Sequence, residues 1–303
     1  MLDGLGLVDA YLRRAYVESA CVLEPGEPVL LDHDGAAFAL IRRSDPADAI
    51  TPYGYGGPAG RDVREFWRAY EGWCRAHGVV TTFVRFHPLY ANAREAPIHV
   101  EPLAPTVAWR LDQEDLPAGM HLNHRRAVRK AQKAGVTVTS GEGVGGFVPL
   151  YEATMRRAAA SPFYFFPSSY WEALERAGVL RFDAQRDGDL VASALCLASP
   201  PWLHYHLGAS SDEGRRIGAM HELFLKAATW ARARGYERFH LGGGVGGRDD
   251  SLHEFKRRFD AGGLVDAAVG KAVHDEDAYR RLSGDAGLDG FFPAYRRPDT
   301  VAR

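Results

Sequence analysis

The segment Ser251-Leu-His-Glu-Phe-Lys-Arg-Arg-Phe259 sets one cation, Lys256, among apolar side chains. Ser251 followed three residues on by Glu254 reads as a capping box, which fixes the start of a helix and so its phase. In that phase Leu252, Phe255 and Phe259 share a face, and Lys256 lies between Leu252 at i−4 and Phe259 at i+3. A lysine so placed either carries its ammonium past the core edge to water or delivers it to something buried. Beside an apolar wall its charge is weakly screened. There it can favour the negative charge that grows on a carbonyl oxygen as an amine attacks.

Two further segments suit anions. Leu241-Gly-Gly-Gly-Val-Gly-Gly-Arg248 follows a strand pattern and precedes a helix, where a phosphate-binding loop would stand. It lacks the Lys-Ser/Thr of a P-loop and the alternating parallel setting of a dinucleotide fold, so a flexible turn accounts for it better. From Asn123 to Lys133 the chain carries Arg125, Arg126, Arg129, Lys130 and Lys133 and no acid. Cations on one helix without internal partners repel one another unless an anion is near, which fits phosphate contact or a solvated basic face. His204 and His206 alternate along a strand, but no third ligand stands at a metal-like interval. No nucleophile elbow, supported Cys-His spacing or paired carboxylates stand out, which disfavours covalent and metal catalysis.

These groups need a scaffold, and 303 residues suit two domains in close contact. A net charge of −2 excludes a global field for nucleic acid, leaving only a local patch. No apolar run approaches the ~20 residues of a membrane span, and the start lacks a basic segment followed by an apolar core, so a cytoplasmic location is expected; a monomer is expected separately. Cys21, Cys74 and Cys196 are odd in number and widely spaced, and read as buried thiols.

The first half reads as a helix over residues 7–19, two apolar runs around Asp34-Gly35 forming a hairpin, a helix over 63–77 and a buried strand over 79–86. The second half repeats that plan at greater length. A helix capped by Asn123 covers 124–134, others cover 147–159 and 170–176, and strands over 179–186, 190–198 and 202–209 form an antiparallel meander. A helix from Ile217 ends near Gly235, a strand covers 236–241, and a last helix starts at Ser251. The fold class is α+β, duplicated.

Several segments together resemble the FemABX-like branch of the GNAT acyltransferase superfamily, which includes the aminoacyl-tRNA-dependent transferases that build peptidoglycan side bridges. They are Pro52-Tyr-Gly-Tyr-Gly-Gly-Pro58, Arg85-Phe-His-Pro88, the helix from Asn123 to Gly135, Thr154-Met-Arg156 with Tyr164-Phe165, and Tyr205-x-Leu-Gly208. Gly242-Gly-Gly244 followed by Phe255-Lys256 completes them and is the most specific. The resemblance implies two tandem GNAT-like halves, over residues 1–113 and 114–303, each a mostly antiparallel sheet flanked by helices, with catalysis in the second. It implies transfer of an aminoacyl group from aminoacyl-tRNA, as co-substrate, to an amine or peptide acceptor such as a peptidoglycan precursor, with no cofactor. Lys256 would stabilise the carbonyl under attack and Phe255 would shape the donor site. Tyr205 and the basic helix, with Arg125, Arg126 and Arg129, would hold the acceptor or its phosphates, and Tyr53, Tyr55, Tyr164, Gly243 and Gly244 are further substrate-binding positions. The coiled-coil arm of peptidoglycan-acting members has no room here. Arg215-Arg-Ile-Gly-Ala-Met220 supplies half of the CoA-binding signature. An acyl-CoA-dependent N-acyltransferase is therefore the alternative, and a non-catalytic ligand-binding relative the third reading.

Overall fold

The computed structural model describes residues 9–297. Residues 1–8, including Leu7 and Val8 where the first helix is expected to begin, lie outside the described residues. In chain order the elements are α1 (Arg14–Ala20), β1 (Glu27–His33), β2 (Ala36–Arg43), β3 (Asp48–Ile50), β4 (Ala59–Gly60), α2 (Val63–Ala76) and β5 (Thr81–Arg85). Next come β6 (His99–Arg110), α3 (Leu116–Gly119), α4 (Leu122–Lys133), β7 (Thr137–Glu142), α5 (Phe147–Arg157) and α6 (Ser168–Arg176). The meander β8 (Leu180–Arg186), β9 (Asp189–Ser199) and β10 (Trp202–Ser210) leads to α7 (Asp212–Ile217) and α8 (Ala219–Arg232). The chain closes with β11 (Arg238–Gly242), α9 (Ser251–Arg257), β12 (Leu264–Val273) and α10 (Glu276–Ser283). No helix among the described residues is long and apolar enough to cross a membrane.

Two compact units result, Met1–Leu103 with Asp266–Arg303, and Ala104–Val265. In the first, β1 and β2 pair antiparallel up to His33↔Ala36, and Asp34 and Gly35 both have positive φ, as the tight turn between them requires. β2 pairs antiparallel with β3, β5 lies parallel to β3, and β12 antiparallel to β5. Helix α2 turns Val63, Phe66, Trp67, Tyr70 and Cys74 inward at helical spacing against Phe38 and Leu40 of the sheet. The second unit repeats these steps: β7 to β10 form an antiparallel meander, β11 follows α8 and lies parallel to β10, and β6 is antiparallel to β11. Its core is built from Trp109, Phe182, Leu223, Phe224, Phe239 and Phe259. Each unit is thus a mostly antiparallel sheet with helices, the duplicated α+β plan expected.

The units divide the chain differently from a cut at 113/114. Residues 266–303 group with the first unit because residues 269–273 of β12 pair with β5. Ser251 does not begin the last helix, since α10 follows it. Strand β6 escapes the sequence patterns because Pro102 and Pro105 interrupt it, and β7 because Val138 is its one large apolar residue. Cys74 and Cys196 are buried as expected, whereas Cys21 is only half-buried.

The helix expected from Ile217 is two helices, broken at Gly218 with φ 83. A Cβ there would lie 2.9 Å from the Ala127 carbonyl oxygen of α4, so the glycine serves both the left-handed turn and the close approach of α8 to α4. Gly218→Ala is expected to cost about 2 kcal/mol, read as a lower urea midpoint at unchanged m-value.

Candidate active site

The chain enters α9 extended at Asp250, and that carboxylate, not Ser251, caps the helix by accepting from the amides of Leu252 (3.0 Å) and His253 (2.9 Å). Glu254 does not reach back to complete a box but pairs with Arg257 and Arg258. The frame moves accordingly. His253, Lys256 and Phe259 turn inward, while Leu252 is 37% exposed and Phe255 half-buried. Asp250 also accepts from the amide of Val245 at 2.9 Å, fastening the glycine loop to the helix start. Burial alone would raise the Asp250 pKa, but three backbone amides and Arg248 hold it below the usual carboxylate range.

Lys256 is 6% exposed. Its Nζ donates to the Gly243 carbonyl at 2.6 Å and stands 5.4 Å from the centre of the Tyr205 ring. Tyr205 sits on β10 and Gly243 directly follows β11, two strands that part company. β10 and β11 pair only from Trp202↔Arg238 to His204↔His240, although β10 runs on to Ser210 and β11 to Gly242. Beyond the last pair β10 has a register shift at Tyr205/Leu207, and β11 one at His240/Gly242. The ammonium therefore sits where the sheet opens. Desolvation lowers the Lys256 pKa to about 7, against the raising influence of Asp250.

Two glycines shape this opening. A Cβ on Gly208 would collide with the Tyr205 ring and hydroxyl, so the Tyr205-x-Leu-Gly208 spacing lets the tyrosine lie along its own strand. A Cβ on Gly244 would strike the Arg248 carbonyl and the Asp250 carboxylate, which explains a glycine there without a ligand. Gly243 has room for one, its nearest neighbour being Thr106 at 3.6 Å.

The second unit thus brings together Lys256, Phe255, Tyr205, Gly243 and Gly244. Phe255 packs on His124 (5.1 Å between ring centres), His221 (5.1 Å) and Phe224 (6.0 Å). Both imidazoles are neutral over the ordinary range, since burial pulls His124 and His221 down to about 4. On α4 the cap is His121 rather than Asn123, because the His121 ring accepts from the Asn123 amide at 3.2 Å. Arg126, Arg129 and Lys133 are exposed, Lys130 donates to the Arg216 carbonyl, and Arg125 is half-buried with its Nε unpartnered among the described residues. Tyr164 stands apart in a 3₁₀ turn against Phe163. Tyr53 and Tyr55 belong to the first unit. There Tyr55 edges onto Tyr11 and His87, its phenol pushed up by burial, and Tyr16 donates to the Tyr53 carbonyl. Sequence reasoning missed Asp250 and His124. The first is as good a cap as Ser251 one residue later, so sequence could not choose between them, and the second carried no periodic signal.

Residues 118–257 match the family model described as an acetyltransferase (GNAT) domain. No curated protein matches the chain in sequence. Among solved structures, the crystal structure of FemX is similar with a TM-score of 0.68 and 14% identity, over 90% of this chain and 94% of that one. The C-terminal domain of a putative lysylphosphatidylglycerol synthetase from Agrobacterium fabrum is similar with a TM-score of 0.59 and 16% identity, over 86% and 88%. L-PGS from Bacillus licheniformis gives 0.58 and 14%, over 86% and 91%. Residues 118–257 thus match a GNAT acetyltransferase domain, and the chain shares its fold with FemX.

Proposed function

We propose that this chain is an acyltransferase that forms an amide by moving an aminoacyl group from an activated ester, with aminoacyl-tRNA as donor, to an amine acceptor such as a peptide or peptidoglycan-precursor-like substrate. The observation that carries the reading is the buried Lys256 ammonium at the parting of β10 and β11, with one proton on the Gly243 carbonyl and others free to meet a substrate oxygen. In the reaction the acceptor nitrogen bonds to the ester carbonyl carbon, the carbon–oxygen bond to the donor breaks, the amine loses a proton and the leaving hydroxyl gains one. Lys256 faces the oxygen that becomes negative, and Tyr205, Phe255 and the glycine loop position the reactants. FemX and a putative lysylphosphatidylglycerol synthetase share this fold, and the second name describes an amino acid joined to a phospholipid.

The alternative, an acyl-CoA donor, draws on the acetyltransferase family match. Against it, Gly218, the glycine of the half CoA signature, is accounted for by packing on Ala127. Single-turnover assays with aminoacyl-tRNA and with acetyl-CoA, each with an amine acceptor, separate the two. Amide formed only with the tRNA ester supports the reading, and amide formed only with CoA replaces it.

If α4 meets donor phosphates, neutralising Arg126, Arg129 and Lys133 together should weaken tRNA binding at least about tenfold and lower the salt slope by about two to three. Filter binding at several salt concentrations reads both. An unchanged slope would make the stripe solvated surface.

A further inference from the structure

We propose that His124 is a positioning residue for Lys256, holding α9 in the rotation that aims the lysine at the Gly243 carbonyl. The inference rests on the reading of Lys256 above. Helix α9 has seven residues and tightens as it ends: Phe259 donates its amide to the Lys256 carbonyl at 3.1 Å. The Phe255 carbonyl is thereby skipped by the helix ladder and is left to take a donor from outside the helix. His124 Nε2 supplies it at 2.9 Å. A carbonyl only accepts, so the neutral His124 ring carries its proton on Nε2. The ring is 3% exposed and locked between His221 and Phe259, each at 4.5 Å between ring centres. From the same end of α4, the His121 amide takes the Arg258 carbonyl at 2.8 Å.

The Phe255 carbonyl belongs to the peptide plane that joins Phe255 to Lys256. Turning that plane moves the lysine Cα directly, so the hydrogen bond from His124 acts on Lys256 without contact with its side chain. A helix this short has little ladder of its own to resist the turn. Other restraints hold its two ends, the Asp250 cap at the start and the His121 hydrogen bond to the Arg258 carbonyl past its finish, and the Lys256 hydrogen bond ties its inner face to Gly243.

The test compares full-length His124→Gln, whose side-chain amide reaches the Nε2 position with a donor, with His124→Phe, which keeps a ring and removes the donor. His124→Met is a second donor-free variant should the phenylalanine not fold. The readout is the titration of Lys256, followed by NMR of its ¹³C-labelled ε-carbon and assigned with Lys256→Met, alongside kcat and KM. The wild type and His124→Gln should titrate alike near about 7. The donor-free variants should move well upward, toward the ordinary lysine value of about 10.4, as the ammonium escapes burial. In them kcat should fall about tenfold with KM little changed, and His124→Gln should retain most of the rate. Donor-free folded variants with an unmoved lysine titration, or a glutamine variant that behaves like them, overturn the proposal. The titration decides this whatever the donor proves to be, whereas full turnover by Lys256→Met would overturn the catalytic reading alone.

Discussion

Lys256→Met should slow single-turnover amide formation about a hundredfold while the protein melts no lower than the wild type at pH 7. The rate follows from the size of one oxyanion-stabilising donor, ~3 kcal/mol of transition-state stabilisation. The stability follows from burial. The folded-state pKa of Lys256, about 7, lies below its unfolded value, so between that pH and about 10.4 the unfolded chain binds more protons and wild-type stability rises with pH. At or below pH 7 the folded protein carries a desolvated ammonium that methionine replaces with an apolar group of similar length. The melting advantage of the variant should therefore shrink toward pH 10. If the charged form is the active one, the wild-type rate should fall as pH rises through about 7. Arginine should rescue poorly, because a planar guanidinium does not occupy the place of a compact ammonium. Near-wild-type rates in Lys256→Met would leave the lysine only its hydrogen bond to Gly243, and a rate loss matched by a large drop in melting temperature would make its role structural.

Asp260→Ala should destabilise the second unit by about 3 kcal/mol. Asp260 is 2% exposed and lies three residues past the end of α9. Its carboxylate accepts from Arg110 Nε (2.9 Å), Nη2 (2.8 Å) and backbone amide (3.0 Å), from Gln113 at 3.2 Å and from the Gly262 amide at 3.0 Å. Removing one member of a buried pair costs ~3–5 kcal/mol, and the 40% exposure of the Arg110 side chain lets water take back part of the loss, which places the effect at the lower end. Burial acts to raise the pKa of Asp260, but the Arg110 and Gly262 hydrogen bonds outweigh it and hold the group below its ordinary value. Its contribution is therefore complete above the unfolded value of about 3.9 and lost as pH falls below it through the depressed native value. Urea titrations at pH 7 and pH 3 check this. A penalty of equal size at both would mean that packing, not charge, holds the site.

The meander of the second unit and the glycine-ended helices were legible because period and punctuation are local properties. Asp187-Gly188 and the apolar runs around it fix β8 and β9 with no help from the rest of the chain. Lys256 was legible for the same reason. Its face was not, because Asp250 and Ser251 are both good caps and only the extended entry at Asp250 decides between them. Strands β6 and β12 were hidden because what makes them strands is a partner far off in sequence. Gly270 of β12 is there because a Cβ would come within 2.6 Å of the Phe86 ring, a constraint no window around residue 270 contains. His124 is similar: its role depends on a carbonyl at Phe255, 131 residues away.

The pairing of β12 with β5 also orders events during synthesis. Arg85 faces Val269, so 184 residues must be translated after Arg85 before its partner is made (269 − 85). At about 5–20 residues per second that is a wait of roughly ten to forty seconds, during which the N-terminal sheet stands with one edge open. The open edge is Thr81-Thr-Phe-Val-Arg85, a short strand rich in β-branched and aromatic residues, the kind that accepts a foreign strand readily. On the ribosome the nascent chain must therefore either keep that edge covered by other means or hold it in a loosely packed state until its own distant strand arrives. A second copy translated alongside carries the same strand and competes for the same edge.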